Sequence, residues 1–293
     1  MSVLGRSVRG MSEESGSDAG EGSAARGTFA AAGVPHVHDR YFRAVMQGRE
    51  EQVALVSAIF PALAPLLDPE GVGLLDGTFV DEELTQRQTD LVLQIRLAGR
   101  EVLVYVLVEH QSTVDPLMAV RMQRYQSRIW DRYVREHPGV TTVPAILPAV
   151  IYQGQGNRRW TAATDLRGVL DLDEEIDAVL AEYLPRLPYR LDDLTQVDVD
   201  ALRGRVSTPP LLLMWLLFKL APGSVDVLVV LESLRDNFSE VAADRGGPGQ
   251  LTTVFTYIVN VSDVPAGRLR PFAARVGTRC RGGTDDHRRD APC

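Results

Sequence analysis

The stretch TDLVLQIRLAGREVLVYVLVEHQST, residues 89–113, decides how the rest of the chain is read. It holds two runs rich in aliphatic and β-branched residues, 90–97 and 101–109, joined by a short loop containing Gly99. That is the pattern of a β-hairpin. In the second run Leu103, Tyr105, Leu107, Glu109 and Gln111 alternate with Val102, Val104, Val106 and Val108, and alternate residues belong to opposite faces of a strand. Both faces are apolar over most of the length, which predicts a central strand covered on both sides. Glu109 and Gln111 then fall at its C-terminal end, the edge at which open α/β sheets present their sites.

Loop length sets the chemistry. With Ala98-Gly99 as a two-residue loop, Leu97 faces Arg100, and Asp90 lies opposite Leu107 and diagonal to Glu109 on one face. Diagonal cross-strand Cβ atoms are roughly 7–8 Å apart or somewhat less. A three-residue loop would send Asp90 to the opposite face. In the even register two carboxylates beside apolar walls repel each other and resist desolvation. A Mg²⁺ or Mn²⁺ ion relieves both costs, polarises a phosphate and generates a hydroxide nucleophile. Gln111 is placed to orient the attacking water. The competing reading is that Asp90 and Glu109 only end strands at a solvent-facing rim.

Outward from the hairpin, residues 1–33 are rich in Ser, Gly, Ala and acid, and disorder is expected there. Asp39 is expected to cap a helix with Phe42 and Val45 on its apolar side. A second helical stretch carries Val53, Leu55, Val56 and Ile59 before Pro61, and GVGLLDGTFV (71–80) reads as a strand. Asp115-Pro116 supplies an N-cap and first turn for a helix to about residue 136. Residues 144–152 form another strand, ending at QGQGN. The order over 40–152 is α-β-β-β-α-β, an α/β class with a mixed central sheet and flanking helices.

The expected divisions are a core at 36–160, a mainly helical C-terminal extension at 161–262 and an irregular segment at 263–293. Helices are expected in the extension near 178–184, 210–220, 225–238 and 250–259. For the last segment two readings stand: a disordered tail, or out-of-frame sequence.

On the helix at 115–136, Met118, Met122, Tyr125, Ile129 and Tyr133 share one face and should pack on the sheet. Arg121, Arg124, Arg128, Arg132 and Arg135 form a basic stripe alongside. Next to an acidic site such a stripe suggests phosphate-backbone contact; the alternative is an ordinary solvated face.

Composition bounds the partners. Among 293 residues, 31 Lys and Arg against 39 Asp and Glu give a net charge of −8, so DNA contact has to come from a local basic patch. The 2 cysteines, Cys280 and Cys293, argue against a disulfide framework or a Cys-based zinc site and suit a reducing cytosol. The longest apolar run, LLLMWLLF at 211–218, is too short to span a bilayer. A cytoplasmic protein is expected, with no membrane partner and no organic cofactor.

HDRYF at 38–42, TDL at 89–91, LVEHQST at 107–113, RMQRY at 121–125 and the strand ending IYQG at 151–154 together resemble the Rpn recombination-promoting nucleases, also called YhgA-like transposases. The resemblance covers roughly residues 36–260. It implies a restriction-endonuclease-like PD-(D/E)XK core and metal-dependent cleavage of DNA phosphodiesters, with nucleoid association when bound to DNA. Asp90 corresponds to the motif's first acid and Glu109 to the second. Gln111 stands where the wider superfamily usually has lysine. His38, Asp39, His110, Tyr125 and Tyr152 fall in family motifs without an assigned chemistry; a packed His38 and a capping Asp39 are the simplest reading. Two rival functions remain: a catalytically inactive DNA-binding module, and an assembly protein that uses the apolar second half to form homo-oligomers or hold a partner.

Overall fold

The computed structural model describes residues 37–75, 90–109, 114–154, 158–222, 224, 226–244, 246–262 and 264–279; at Asp90 and Glu109 it describes the backbone. The expected disorder at 1–33, and the residues His110 and Gln111, lie outside the described residues.

Two helices, α1 (Val37–Val45) and α2 (Arg49–Ile59), precede three strands, β1 (Leu67–Leu74), β2 (Asp90–Leu97) and β3 (Arg100–Glu109). Helix α3 (Met118–Glu136) leads to β4 (Ala145–Tyr152), and α4 (Glu174–Leu180) to β5 (Arg190–Asp193). Helices α5 (Val199–Arg203), α6 (Pro209–Leu220), α7 (Val227–Ser233), α8 (Arg235–Ala243), α9 (Gly247–Val261) and α10 (Ala266–Arg279) follow. The sheet runs β1-β2-β3-β4-β5. The first three strands are antiparallel neighbours, and β3-β4 and β4-β5 are parallel. The class is therefore α/β with a mixed sheet, in the order read from the sequence. Among the described residues no helix is long and apolar enough to cross a membrane.

The hairpin has the two-residue loop. Leu97 pairs with Arg100, and the ladder continues in register to Asp90 opposite Leu107. A two-residue turn matching strand twist needs positive φ at its centre; Ala98 is at φ 48° and Gly99 at φ 81°. Strand β3 is the middle of five, as its apolar faces require.

The strands sort their residues into two cores. Leu91, Leu93, Ile95, Val104, Val106, Ala149 and Ile151 share a cluster with α1, α2, α6, α8 and α9. Val92, Leu103, Val150 and Tyr152 share the other with Met118, Met122, Tyr125 and Ile129 of α3. The apolar stripe expected on α3 is thus buried, except that Tyr133 is only half-buried and stacks on His137, with centroids 4.2 Å apart.

Several expectations need correction. Strand β1 starts at Leu67 rather than Gly71, straight after the short 3₁₀ helix Pro61–Leu66. Asp39 sits inside the first turn of α1, 5% exposed, so it is not a cap. Asp115 is not the α3 cap either: its Oδ1 accepts from Leu117 N at 2.9 Å, closing a separate turn before the helix begins. The helix expected at 225–238 is broken at Leu234, where the Ser233 hydroxyl donates back to the Val230 carbonyl at 2.7 Å, a bond that competes with the helical ladder. Strand β5 comes from beyond residue 160, so the sheet is not confined to 36–160. Residues 266–279, expected to be irregular, form α10. Its buried Leu269, Phe272 and Val276 are spaced three and four apart, and Phe272 meets the Phe238 ring edge-on at 5.1 Å.

Candidate functional site

One edge of the sheet gathers the chemistry-bearing positions. Asp90 opens β2 opposite Leu107, Glu109 closes β3 opposite Tyr152, and Tyr152 pairs in turn with Asp193 at the end of β5. Alternation places positions 90, 107 and 109 on one face. Val92 and Leu103 belong to the cluster under α3, so that face is the one α3 covers. Tyr152, the partner position of Glu109, belongs to the same cluster and is 0% exposed. Its ring meets Trp160 edge-on at 4.9 Å.

Gly154 follows in the IYQG motif. A Cβ there would collide with the Arg158 carbonyl and the Tyr152 hydroxyl, so only glycine lets the chain leave β4 this closely.

The stripe arginines on α3 do not share one environment. Arg121 is largely buried and its Nη1 lies 3.2 Å from Asp115 Oδ2. Beside this pair, Tyr189 donates its hydroxyl to the Ala163 carbonyl at 2.9 Å. Burial pushes the Tyr189 hydroxyl up to about 12; Trp160 and Arg121 oppose this, and the Asp115 charge adds to it. Arg124 is exposed. Arg128 is half-buried, and Arg132 donates to Glu136 at 2.7 Å. Tyr125, 2% exposed, is a core residue between sheet and helix.

The opening motif arrives at the same edge from the other face. His38, 7% exposed, has Nδ1 2.9 Å from Gln153 Nε2 and 3.0 Å from the Tyr257 hydroxyl of α9. The Gln153 amide nitrogen and the Tyr257 hydroxyl thus converge on one ring nitrogen of His38. Burial raises the Tyr257 hydroxyl well above its usual pKa, Tyr41 adds to this, and Gln153 opposes it. His38 is packed, as read from the sequence, and it also ties α1 and α9 to the residue after β4. Gln153 and Tyr257 were not singled out in the sequence. Gln153 was visible as the residue after a buried strand, whereas nothing local to Tyr257 marks a partner 219 positions away.

The arrangement is one sheet edge with two acid positions and Tyr152 under α3, braced from the far face by a buried His-Gln-Tyr cluster. A family model described as "Putative transposase, YhgA-like" matches residues 36–246. The recombination-promoting nuclease RpnD of Escherichia coli O157:H7 is 26% identical over 246 residues, covering 83% of this chain and 87% of that protein. RpnA of Escherichia coli K12, a recombination-promoting nuclease, is 25% identical over 83% of this chain and 77% of its own length. The inactive recombination-promoting nuclease-like protein RpnE of the same strain is 24% identical, over 83% of this chain and 76% of its own. No solved structure matches. The sheet edge therefore lies within the matched span, and the chain belongs to the YhgA-like transposase family.

Proposed function

We propose that the protein is a metal-dependent DNA endonuclease with a PD-(D/E)XK core, hydrolysing phosphodiester bonds in recombination. The observation that carries this reading is the β2–β3 register, which assigns positions 90 and 109 to one face at one edge. The names of the relatives support the nuclease class. Two carboxylates are the hard oxygen donors that suit Mg²⁺ or Mn²⁺, and Asp90 and Glu109 are the residues that would hold it. When bound, such an ion supplies Lewis acidity toward a phosphate oxygen and a more acidic water. Gln111 orients the attacking water through its amide and, being neutral, offers no charge to the transition state. Arg124 and Arg128, with Arg121 and Arg132 flanking them, hold the DNA backbone along α3 by charge.

The test is plasmid nicking with Mg²⁺ or Mn²⁺. Wild type should nick, and Asp90→Ala and Glu109→Ala should each lose at least about a hundredfold, the scale on which a positioned catalytic group acts. Equal activity in all three removes the catalytic assignment. A second reading, a DNA-binding module without cleavage, is favoured by the relative named as inactive and by the neutral residue at 111. It predicts DNA binding that survives Asp90→Ala and no metal-dependent nicking in wild type.

A further inference from the structure

Helix α3 packs its Met118, Met122, Tyr125 and Ile129 side against the sheet. On the opposite side a second stripe faces water: Leu117, Val120, Arg124, Ser127, Asp131 and Val134, at alternating steps of three and four. That is the spacing of a helix–helix seam. All six are exposed, and Leu117, Val120 and Val134 keep 55%, 41% and 48% of their surface in water. Arg124 and Asp131 have no ion-pair or hydrogen-bond partner among the described residues. Arg121 and Arg132 of the same helix differ in this, since they meet Asp115 and Glu136. The outer stripe therefore carries apolar side chains and one charge of each sign, none of them engaged within the chain.

We propose that this stripe is a dimer interface, on which a second copy of the chain lays the same helix antiparallel about a two-fold axis at Ser127. A two-fold contact requires a surface that complements itself, and the spacing supplies one. Val120 and Val134 lie seven positions to either side of Ser127, so each meets the other's counterpart in the second copy. Arg124 lies three positions before Ser127 and Asp131 four after it, so each arginine comes opposite an aspartate of the other copy. A parallel pair in register would set arginine on arginine and aspartate on aspartate, which selects the antiparallel arrangement. Ser127 is small enough for close approach at the axis, and Leu117 extends the seam at its end. Asp131, in the middle of the stripe, repels a phosphate backbone and complements a copy of Arg124 instead. Arg128 and Arg132 lie further round the helix, outside the contact, while Arg124 borders both faces, so pairing withholds it from DNA. The proposal does not rest on the nuclease reading, and it uses α3 rather than the apolar second half of the chain.

A contact of one helix from each copy is small, so the dimer should be reversible, with Kd on the order of tens of micromolar. Sedimentation velocity of the full chain without DNA, at concentrations on both sides of that value, should show dimer growing with concentration. Arg124→Asp or Asp131→Arg alone sets like charges against each other at both pairs and should weaken the dimer at least about tenfold. Combining them, Arg124→Asp/Asp131→Arg, exchanges the two charges and should restore association to within about threefold of wild type. Both sites are exposed, so all three variants should melt close to wild type. A wild type that stays monomeric throughout overturns the proposal. So does a dimer indifferent to both single reversals, as for assembly through the second half, or a double variant that associates no better than the singles.

Discussion

The two faces of the sheet are built to different ends. The face toward α6 and α9 carries the larger apolar core, closed by Trp215, Phe218, Phe238 and Tyr257. The face toward α3 has a smaller core and borders an ion-paired rim, where Asp115 holds Arg121 and Arg132 meets Glu136. Hydrophobic stabilisation scales with the apolar area removed from water, so the larger face dominates stability. The smaller face holds the acid positions of β2 and β3. Substitutions should therefore separate folding from chemistry according to the face they strike.

The hardest strike on that division is Trp215→Ala. Trp215 is 0% exposed, and the Arg205 guanidinium lies 4.8 Å from its ring centroid. Arg205 is in turn held by Asp192 of β5 through two contacts of 2.7 Å, so one truncation loosens both a helix and an edge strand. The cost should be about 3–5 kcal/mol, read as a lowered urea midpoint. A loss below about 1 kcal/mol would mean that the α6 face is not the principal core.

Tyr257→Phe probes the brace between the faces. It removes the hydroxyl that meets His38 and should cost about 1 kcal/mol. Its sharper signature is in pH. The Tyr257 pKa is raised in the folded protein, so above the unfolded value of about 10 the unfolded chain releases a proton that the folded one keeps. The stability linked to this group is full below pH 10 and is lost as pH rises beyond it. Urea midpoints measured from pH 8 to 11 should therefore fall less steeply in Tyr257→Phe than in wild type. Some alkaline loss should remain, because burial raises Tyr41 as well. Parallel curves would show that Tyr257 is not buried in solution as it is here.

What the sequence made legible follows from how local each feature is. Strand alternation narrows the hairpin register, within about twenty residues, to a choice between a two- and a three-residue loop, and the structure selects the first, which pairs Asp90 with Leu107. The α3 stripe was equally local. β5 is only four residues long and its pairing with β4 comes from distant chain, so no period announced it. In α10 three apolar residues stand among arginines and glycines, and the stripe they make is visible only once Phe238 and Phe255 are there to meet it. The His38–Gln153–Tyr257 cluster joins three segments that share no sequence pattern. The side chains at the centre of the candidate site, Asp90 and Glu109, are read from register alone.

The smallest expected effect on stability is also the cleanest test of the smaller face. Arg124 and Arg121 lie one turn apart on α3, yet Arg121 is 11% exposed at its side chain and ion-paired while Arg124 is exposed. Arg121→Ala would strand Asp115 beside Tyr189, and any loss of DNA affinity would be entangled with folding. Arg124→Ala should change stability by less than about 0.5 kcal/mol. If α3 carries the proposed DNA contact, each phosphate contact contributes about 0.9 to the slope of log affinity against log salt. Arg124→Ala should reduce that slope by about this amount in fluorescence-anisotropy titrations across NaCl concentrations, for cognate and random duplexes alike. An unchanged slope would return the stripe to an ordinary solvated helix face, and the DNA path would then have to be sought on another part of the sheet edge.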